Sequence, residues 1–260
     1  MSNNDSPYSL ASTLDFINQN FGIIFLSILF LIVGFFAGSI WTDSRISKAG
    51  GTNNPAAQAP TEQQPPQAAL STEVLAQLAS DQGVAADTYE TCIQNPEIAQ
   101  RVQDQMTGGE AAGIGGTPGT IVVVDGEPKE VISGALPYPQ VKAVLDRYLT
   151  GTGEPDPQSA ALLIADGFVP VSEADHIRGN AEASVVLVEY SDYECPYCRS
   201  FHPSMVQAME EYGDQVAWVY RHFPLGFHAT AMPSAIAAEC VADEAGNDAF
   251  WAFSDAAFSI

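Results

Sequence analysis

Basic residues are scarce: nine Lys and Arg stand against 32 Asp and Glu, a formal charge of −23 over 260 residues. A chain so poor in positive charge lacks the clustered cations that phosphate neutralisation needs, which excludes nucleic acid as a partner. The acidic excess reads as a solvated surface and names no acid-specific partner. Cysteine is limited to four residues, two in a single Cys-x-x-Cys and two, Cys92 and Cys240, far apart. With no second Cys-x-x-Cys, the paired clusters of a structural zinc site are missing. An even cysteine count fits two pairs, and paired cysteines persist mainly in oxidising compartments. The glycine-rich stretch 113–119 is no dinucleotide fingerprint, because Pro118 stands where a third glycine is needed and a strand follows instead of a helix. There is no internal repeat. Apolar content is 46%, enough for a core.

The chain has one long hydrophobic run. Residues 21–41 (FGIIFLSILFLIVGFFAGSIW) carry no charge, and about 20 such residues cross a hydrocarbon core. A cleaved signal peptide fits less well, since residues 1–20 hold no Lys or Arg and the run is long for that purpose. Gly34 and Gly38 stand at a helix-dimer spacing but are equally ordinary membrane-helix residues. The reading is a short polar N-terminus (1–20), a single transmembrane anchor (21–41) and a flexible linker (42–69) rich in Pro, Gln, Ala and Asn. Arg45 and Lys48 follow the anchor, which by the positive-inside rule would leave the rest of the chain in the cytoplasm. Two charges are a weak vote. The cysteine chemistry argues for the opposite side, a single-pass membrane protein with its catalytic domain extracytoplasmic.

Globular material comes in two blocks, 70–150 and 183–260, joined by a second linker, 151–182. In the first block helices are predicted over 71–80, 87–94, 96–105 and 137–149, with Pro96 well tolerated in a first turn. Residues 120–124 (TIVVV) read as a strand, Asp125-Gly126 as a hairpin turn and 130–132 as its partner. In the second block, 183–191 (ASVVLVEYS) is a β-branched run of the kind buried in a sheet. Residues 199–212 read as a helix, 215–221 as a strand, and 229–245 and 247–258 as helices.

Where the buried strand gives way to a helix stands Cys195-Pro196-Tyr197-Cys198. A thiol at a helix N-terminus meets free N–H groups and the positive dipole end, which favour thiolate. Only a thiolate attacks a disulfide. Cys195 is therefore the expected nucleophile, and Cys198, one turn inside, the resolving thiol. Two other readings stay open: a static disulfide, or half a zinc site. For the latter, Cys195, Cys198 and His202 form a C-x-x-C-x-x-x-H string that His222 or His228 would have to complete. Otherwise His202, His222 and His228 read as helix-surface or loop residues. Asp192 and Glu194 flank the cysteines and oppose a thiolate, while Arg199 favours one.

VVLVEYSDYECPYCRSFHP and WVYRHFPL resemble the front half of a DsbA-like domain of the thioredoxin superfamily; IGGTPGTIVVVDGEPKEVISGALPYPQVKAVLDRYL resembles the back half. The resemblance implies a thioredoxin-like α/β fold with a helical insertion. It implies thiol–disulfide oxidoreductase activity without a diffusible cofactor, cysteine-containing protein substrates, and a membrane or soluble redox partner that reoxidises the pair. It further implies that Pro118 is cis and packs on the cysteines, with the Thr117 backbone pairing with substrate. Glu189 takes the place of a buried carboxylate that passes protons to the resolving thiol; a solvated edge Glu is the plain alternative. Cys92 and Cys240 fall in the insertion, where some relatives carry a second disulfide; the alternative is two buried free thiols.

The order of the halves departs from the family, which runs cysteine motif, insertion, cis-proline strand, last helix. Here the back half (70–150) precedes the front half (183–260). The expectation is a circularly permuted domain whose new termini lie in the insertion, behind an N-terminal transmembrane helix. About 149–183 joins the old ends, a span that a flexible chain bridges easily. Two incomplete copies, a prematurely ended chain, or halves pairing between molecules are the rivals. The expected function is donation of a disulfide to extracytoplasmic proteins; a reductase, an isomerase or a non-catalytic binding module are the alternatives.

Overall fold

The computed structural model describes residues 70–151 and 153–260. The N-terminus, anchor and linker expected over 1–69 lie outside the described residues. Among the described residues no helix is long and apolar enough to cross a membrane.

Three helices open the described chain: α1 (Thr72–Asp81), α2 (Ala86–Cys92) and α3 (Pro96–Ala111). Side chains cap two of them: Ser71 accepts from the Val74 N–H, and Asn95 from the Glu97 N–H just ahead of Pro96. A hairpin follows, β1 (Gly119–Val124) and β2 (Glu127–Ser133), then α4 (Tyr138–Leu149) and the short α5 (Pro157–Ala160). Its two-residue turn holds Asp125 and Gly126 at φ 50° and 82°; positive φ at both central positions is the type I′ requirement that matches strand twist. The rest comprises β3 (His176–Gly179), β4 (Val185–Ser191), α6 (Pro196–Tyr212), β5 (Val216–His222), α7 (Ala231–Ala245) and α8 (Asn247–Ser259).

The five strands form one sheet in the order β2-β1-β4-β5-β3. β1 pairs antiparallel with β4, which pairs parallel with β5, and β3 closes the edge antiparallel to β5. Both sequence blocks thus contribute to one thioredoxin-like sheet within a single chain. Alternation along the strands divides the core in two. Leu187, Trp218 and Tyr220 face the larger cluster with Phe201 of α6, Leu145 of α4 and Phe250 of α8. Val188, Tyr190, Val219, Ile121 and Val123 face the smaller one. α3 packs close on this second face. A Cβ on Gly109 would lie 2.7 Å from the Tyr190 ring, so the helix approaches the sheet through its glycine.

Two expectations are corrected. Residues 151–182 are more than a linker: they hold α5 and β3, and they are fastened to the sheet by Arg221. That guanidinium donates to Asp175 at 2.7 and 3.0 Å, to the Val169 carbonyl at 2.8 Å and to Tyr190 Oη at 3.0 Å. α3 continues past 105 to Ala111 through Gly108-Gly109, because packing against Tyr190 outweighs the poor helix propensity of glycine.

Candidate active site

β4 delivers the chain to the top of the sheet, where Cys195 is the N-cap of α6 and Pro196 its first residue. Cys195 and Cys198 are free thiols, both buried. The two sequence blocks meet here. Cys195 Sγ donates to the Thr117 carbonyl at 3.5 Å, and the Thr117–Pro118 peptide that leads into β1 is cis.

The two thiols sit in opposite environments. A hydrogen bond from Cys198 is the main influence lowering Cys195 from 9.0 to about 5; burial works against it, and the Thr117 hydroxyl and the backbone N–H groups of Cys198 and Tyr197 reinforce it. Those amides are the unpaired donors of the α6 N-terminus. Cys198 is pushed well above its usual value, first by burial, then by its hydrogen bond to Cys195 and by the charges of Glu189 and Cys195.

Glu189 is fully buried and faces the same side of the sheet as Cys198. Burial raises its carboxyl from 4.5 to about 7, against hydrogen bonds with Ser191 and Trp218 that lower it. Trp218 Nε1 donates to Oε2 at 3.0 Å, whereas Oε1 has no aligned partner. Sequence reading missed Trp218. Its signal was parity: on β5 it shares a face with Tyr220, which pairs in register with Glu189.

The flanking acids are taken up in hydrogen bonds, and neither is among the main influences on Cys195. Asp192 accepts from the N–H groups of Glu194 and Leu225, at 2.8 and 2.9 Å, and from His228 Nδ1 at 2.7 Å. Glu194 accepts from the Thr230 N–H and hydroxyl, at 2.6 and 2.7 Å. Both carboxylates therefore brace the 225–230 loop against the segment that precedes Cys195. Arg199, set in the first turns of α6, has a buried Nε without a partner.

The histidine reading is also corrected. His202 is buried and lies 2.8 Å from Asp255, whose other oxygen takes Arg178 at 2.8 Å. His222 is 1% exposed at the end of β5. Among the described residues, His176, His222 and Glu239 are the group of His, Cys, Asp or Glu that converges on one point; neither Cys195 nor Cys198 belongs to it. The C-x-x-C-x-x-x-H string is thus not drawn together around a metal. Cys92, at the end of α2, and Cys240, in α7, form a disulfide.

A thiol poised as thiolate, a sealed neighbour and a carboxyl titrating near neutrality together suit thiol–disulfide exchange.

Residues 61–146 match the DSBA-like thioredoxin domain family, and residues 171–259 match a second family described as thioredoxin. Among curated proteins, the Na(+)/H(+) antiporter NhaA 3 of Salinispora tropica is 43% identical over 94 residues, 35% of this chain and 14% of that protein. The Na(+)/H(+) antiporter NhaA 1 of Mycolicibacterium gilvum is 41% identical over 71 residues, 27% of this chain and 12% of that one. The chain therefore spans only a small part of the curated relatives it matches. Among solved structures, DsbA2 of Pseudomonas aeruginosa is 35% identical, with 34% of this chain and 50% of that chain covered at a TM-score of 0.32.

Proposed function

We propose that this chain, a DsbA-like member of the thioredoxin superfamily, is a membrane-anchored thiol–disulfide oxidoreductase that donates its Cys195–Cys198 disulfide to cysteine pairs of extracytoplasmic proteins. One observation carries the reading. Cys195 caps α6 with its sulfur on the carbonyl of Thr117, the residue before the cis peptide, while Cys198 is sealed one turn inside.

The exchange runs in two displacements. A substrate thiolate attacks Cys195 Sγ of the disulfide, forming a mixed disulfide, and Cys198 leaves as a thiolate that takes the proton of Glu189. A second substrate thiolate then attacks the substrate sulfur of the mixed disulfide, and Cys195 leaves as a thiolate. Two electrons pass from substrate to the cysteine pair, and a separate redox partner must remove them. The lowered Cys195 makes it the better leaving group, which favours donation. Thr117 offers the backbone for an extended substrate segment, and Pro118 sets that backbone against Cys195.

The apolar run 21–41 supports the anchor. The Cys92–Cys240 disulfide supports an oxidising, extracytoplasmic compartment. A permuted domain order is supported by the DSBA-like match at 61–146 lying ahead of the match at 171–259, and by the β1–β4 pairing that joins the halves.

The test is an equilibrium redox titration of the full chain against glutathione, with Cys195→Ser as control. A potential near about −120 mV fits a disulfide donor, and one near about −270 mV would assign a reductase instead. No reversible couple would remove catalysis and leave a binding module.

A further inference from the structure

We propose that His176, His222 and Glu239 form a binding site for a divalent first-row transition metal ion, zinc foremost, separate from the cysteine pair. The three ligands come from β3, β5 and α7, so one ion would tie the insertion helix to two strands of the sheet. Nε2 of His176 lies 3.0 Å and Nε2 of His222 3.1 Å from the same oxygen, Glu239 Oε1. Zinc at about 2.0–2.1 Å from each ligand of a tetrahedron sets them about 3.3 Å apart. Each imidazole already stands within a few tenths of an ångström of that spacing from the carboxylate oxygen, the three ligand atoms lie within 4.8 Å of one another, and all three residues are buried.

His222 is the observation that asks for a ligand. Both its ring nitrogens are buried and neither has an aligned hydrogen-bond partner, although Nε2 approaches the carboxylate. A buried imidazole left unsatisfied on both sides is costly. An ion between Nε2 and Glu239 would use the idle lone pair.

The ligands are held in place. The His176 ring stacks on Phe250 at 3.7 Å between centroids, and His222 meets Tyr220 edge-on at 5.1 Å. Arg101 Nη1 occupies Glu239 Oε2 at 2.8 Å, which leaves Oε1 to the histidines, while Gln105 Nε2 stands 3.4 Å from that oxygen. Gln105 Oε1 also accepts from the His222 backbone N–H at 2.6 Å. Two imidazoles and one carboxylate make a three-ligand zinc set with one position left for water. His176 and Gln105 line a cavity of about 660 Å³ that would supply that water and an entry path. Four carboxylates on its walls, Asp104, Glu173, Asp175 and Asp243, outnumber the two guanidiniums of Arg101 and Arg221, which leaves a net negative lining that favours a cation.

The test uses the full chain in detergent with both cysteine pairs oxidised, so that no thiol competes, stripped of metal and titrated with Zn2+ by calorimetry and with Co2+ by visible absorption. One equivalent is expected. X-ray absorption of the zinc-loaded wild type should show two imidazoles and no sulfur. His176→Asn and Glu239→Gln should each weaken binding at least tenfold, and Cys195→Ser combined with Cys198→Ser should not change it. Absence of binding by the oxidised wild type, sulfur in the coordination shell, or unchanged affinity in folded His176→Asn would overturn the proposal. If either variant fails to fold, the wild-type stoichiometry and absorption spectrum decide alone.

Discussion

Trp218 Nε1 donates to Glu189 Oε2 at 3.0 Å between two wholly buried side chains, and the other carboxyl oxygen is left without an aligned partner. Burial therefore dominates and holds Glu189 at about 7, above the 4.5 of the free side chain. A raised folded-state value means that the protonated carboxyl supports the fold. Its contribution is complete below about 4.5 and lost as the pH rises through about 7. That interval corresponds to about 3 kcal/mol. Glu189→Gln keeps the shape and the acceptor for Trp218 but cannot ionise. It is expected to exceed wild type in stability by about 3 kcal/mol at pH 8 and to match it near pH 4. Denaturant unfolding at the two pH values checks this; a gap independent of pH would show that the carboxyl is not titrating in the core.

Trp218→Phe removes a hydrogen bond that lowers Glu189. The pH midpoint of Cys198 release, followed by stopped-flow reduction of the full chain, should therefore move upward from about 7. A downward move would mean that the indole contributes mainly by excluding water.

Reduced Cys195 is expected to alkylate with a pH midpoint near 5 in place of 9.0. The Cys198 hydrogen bond is the largest cause, so Cys198→Ala should raise the midpoint, and Cys198→Ser, whose hydroxyl still donates, should raise it less. The measurement is the rate of iodoacetamide reaction against pH. Identical midpoints in all three would assign the shift to the helix N-terminus alone.

The features legible in the sequence were those written in short-range pattern or local chemistry. Residues 183–191 announced a buried strand by their β-branched run, Asp125-Gly126 announced the hairpin, and Cys195 stood where strand met helix. β3 was not legible, because HIRG is a four-residue edge strand without alternation and exists through its pairing with β5. His222 looked like the start of a loop, yet the Ser191–His222 register carries it under the sheet's top edge. Asp192 and Glu194 read only as charges beside the cysteines, because the donors that hold them, Leu225, His228 and Thr230, arrive from a loop more than 30 residues on. Glu239 carried no local signal at all, since its partners lie on β3, β5 and α3.

Cys92 and Cys240 close a span of 148 residues. Constraining so long a loop in the unfolded chain stabilises by about 5 kcal/mol on the chain-entropy argument, and removal of native disulfides commonly costs about 2–5 kcal/mol. Cys92→Ala with Cys240→Ala should lower the unfolding free energy by about 3–5 kcal/mol under oxidising conditions. Reductant sufficient to open the bond should abolish the difference. The Cys195 alkylation midpoint should stay near 5 in the double variant, because the groups that lower it are Cys198, Thr117 and the first turn of α6, none of them part of the bridge.

Phe227 is 79% and Tyr197 66% exposed. Neither ring earns its place through the core. Tyr197 sits between the two cysteines, and Phe227 packs edge-on against His228 at 4.5 Å, which Asp192 fixes beside the Cys195 approach. Exposed aromatics held by a braced loop are the residue type that dominates binding interfaces. Phe227→Ala is accordingly expected to change stability by no more than about 0.5 kcal/mol. It should raise KM for a reduced, unfolded protein substrate about tenfold, equivalent to about 1.4 kcal/mol of binding. The rate with glutathione, too small to reach the loop, should not change. An equal loss with glutathione would place the effect on Cys195 itself, through His228 and Asp192, and would move the alkylation midpoint with it.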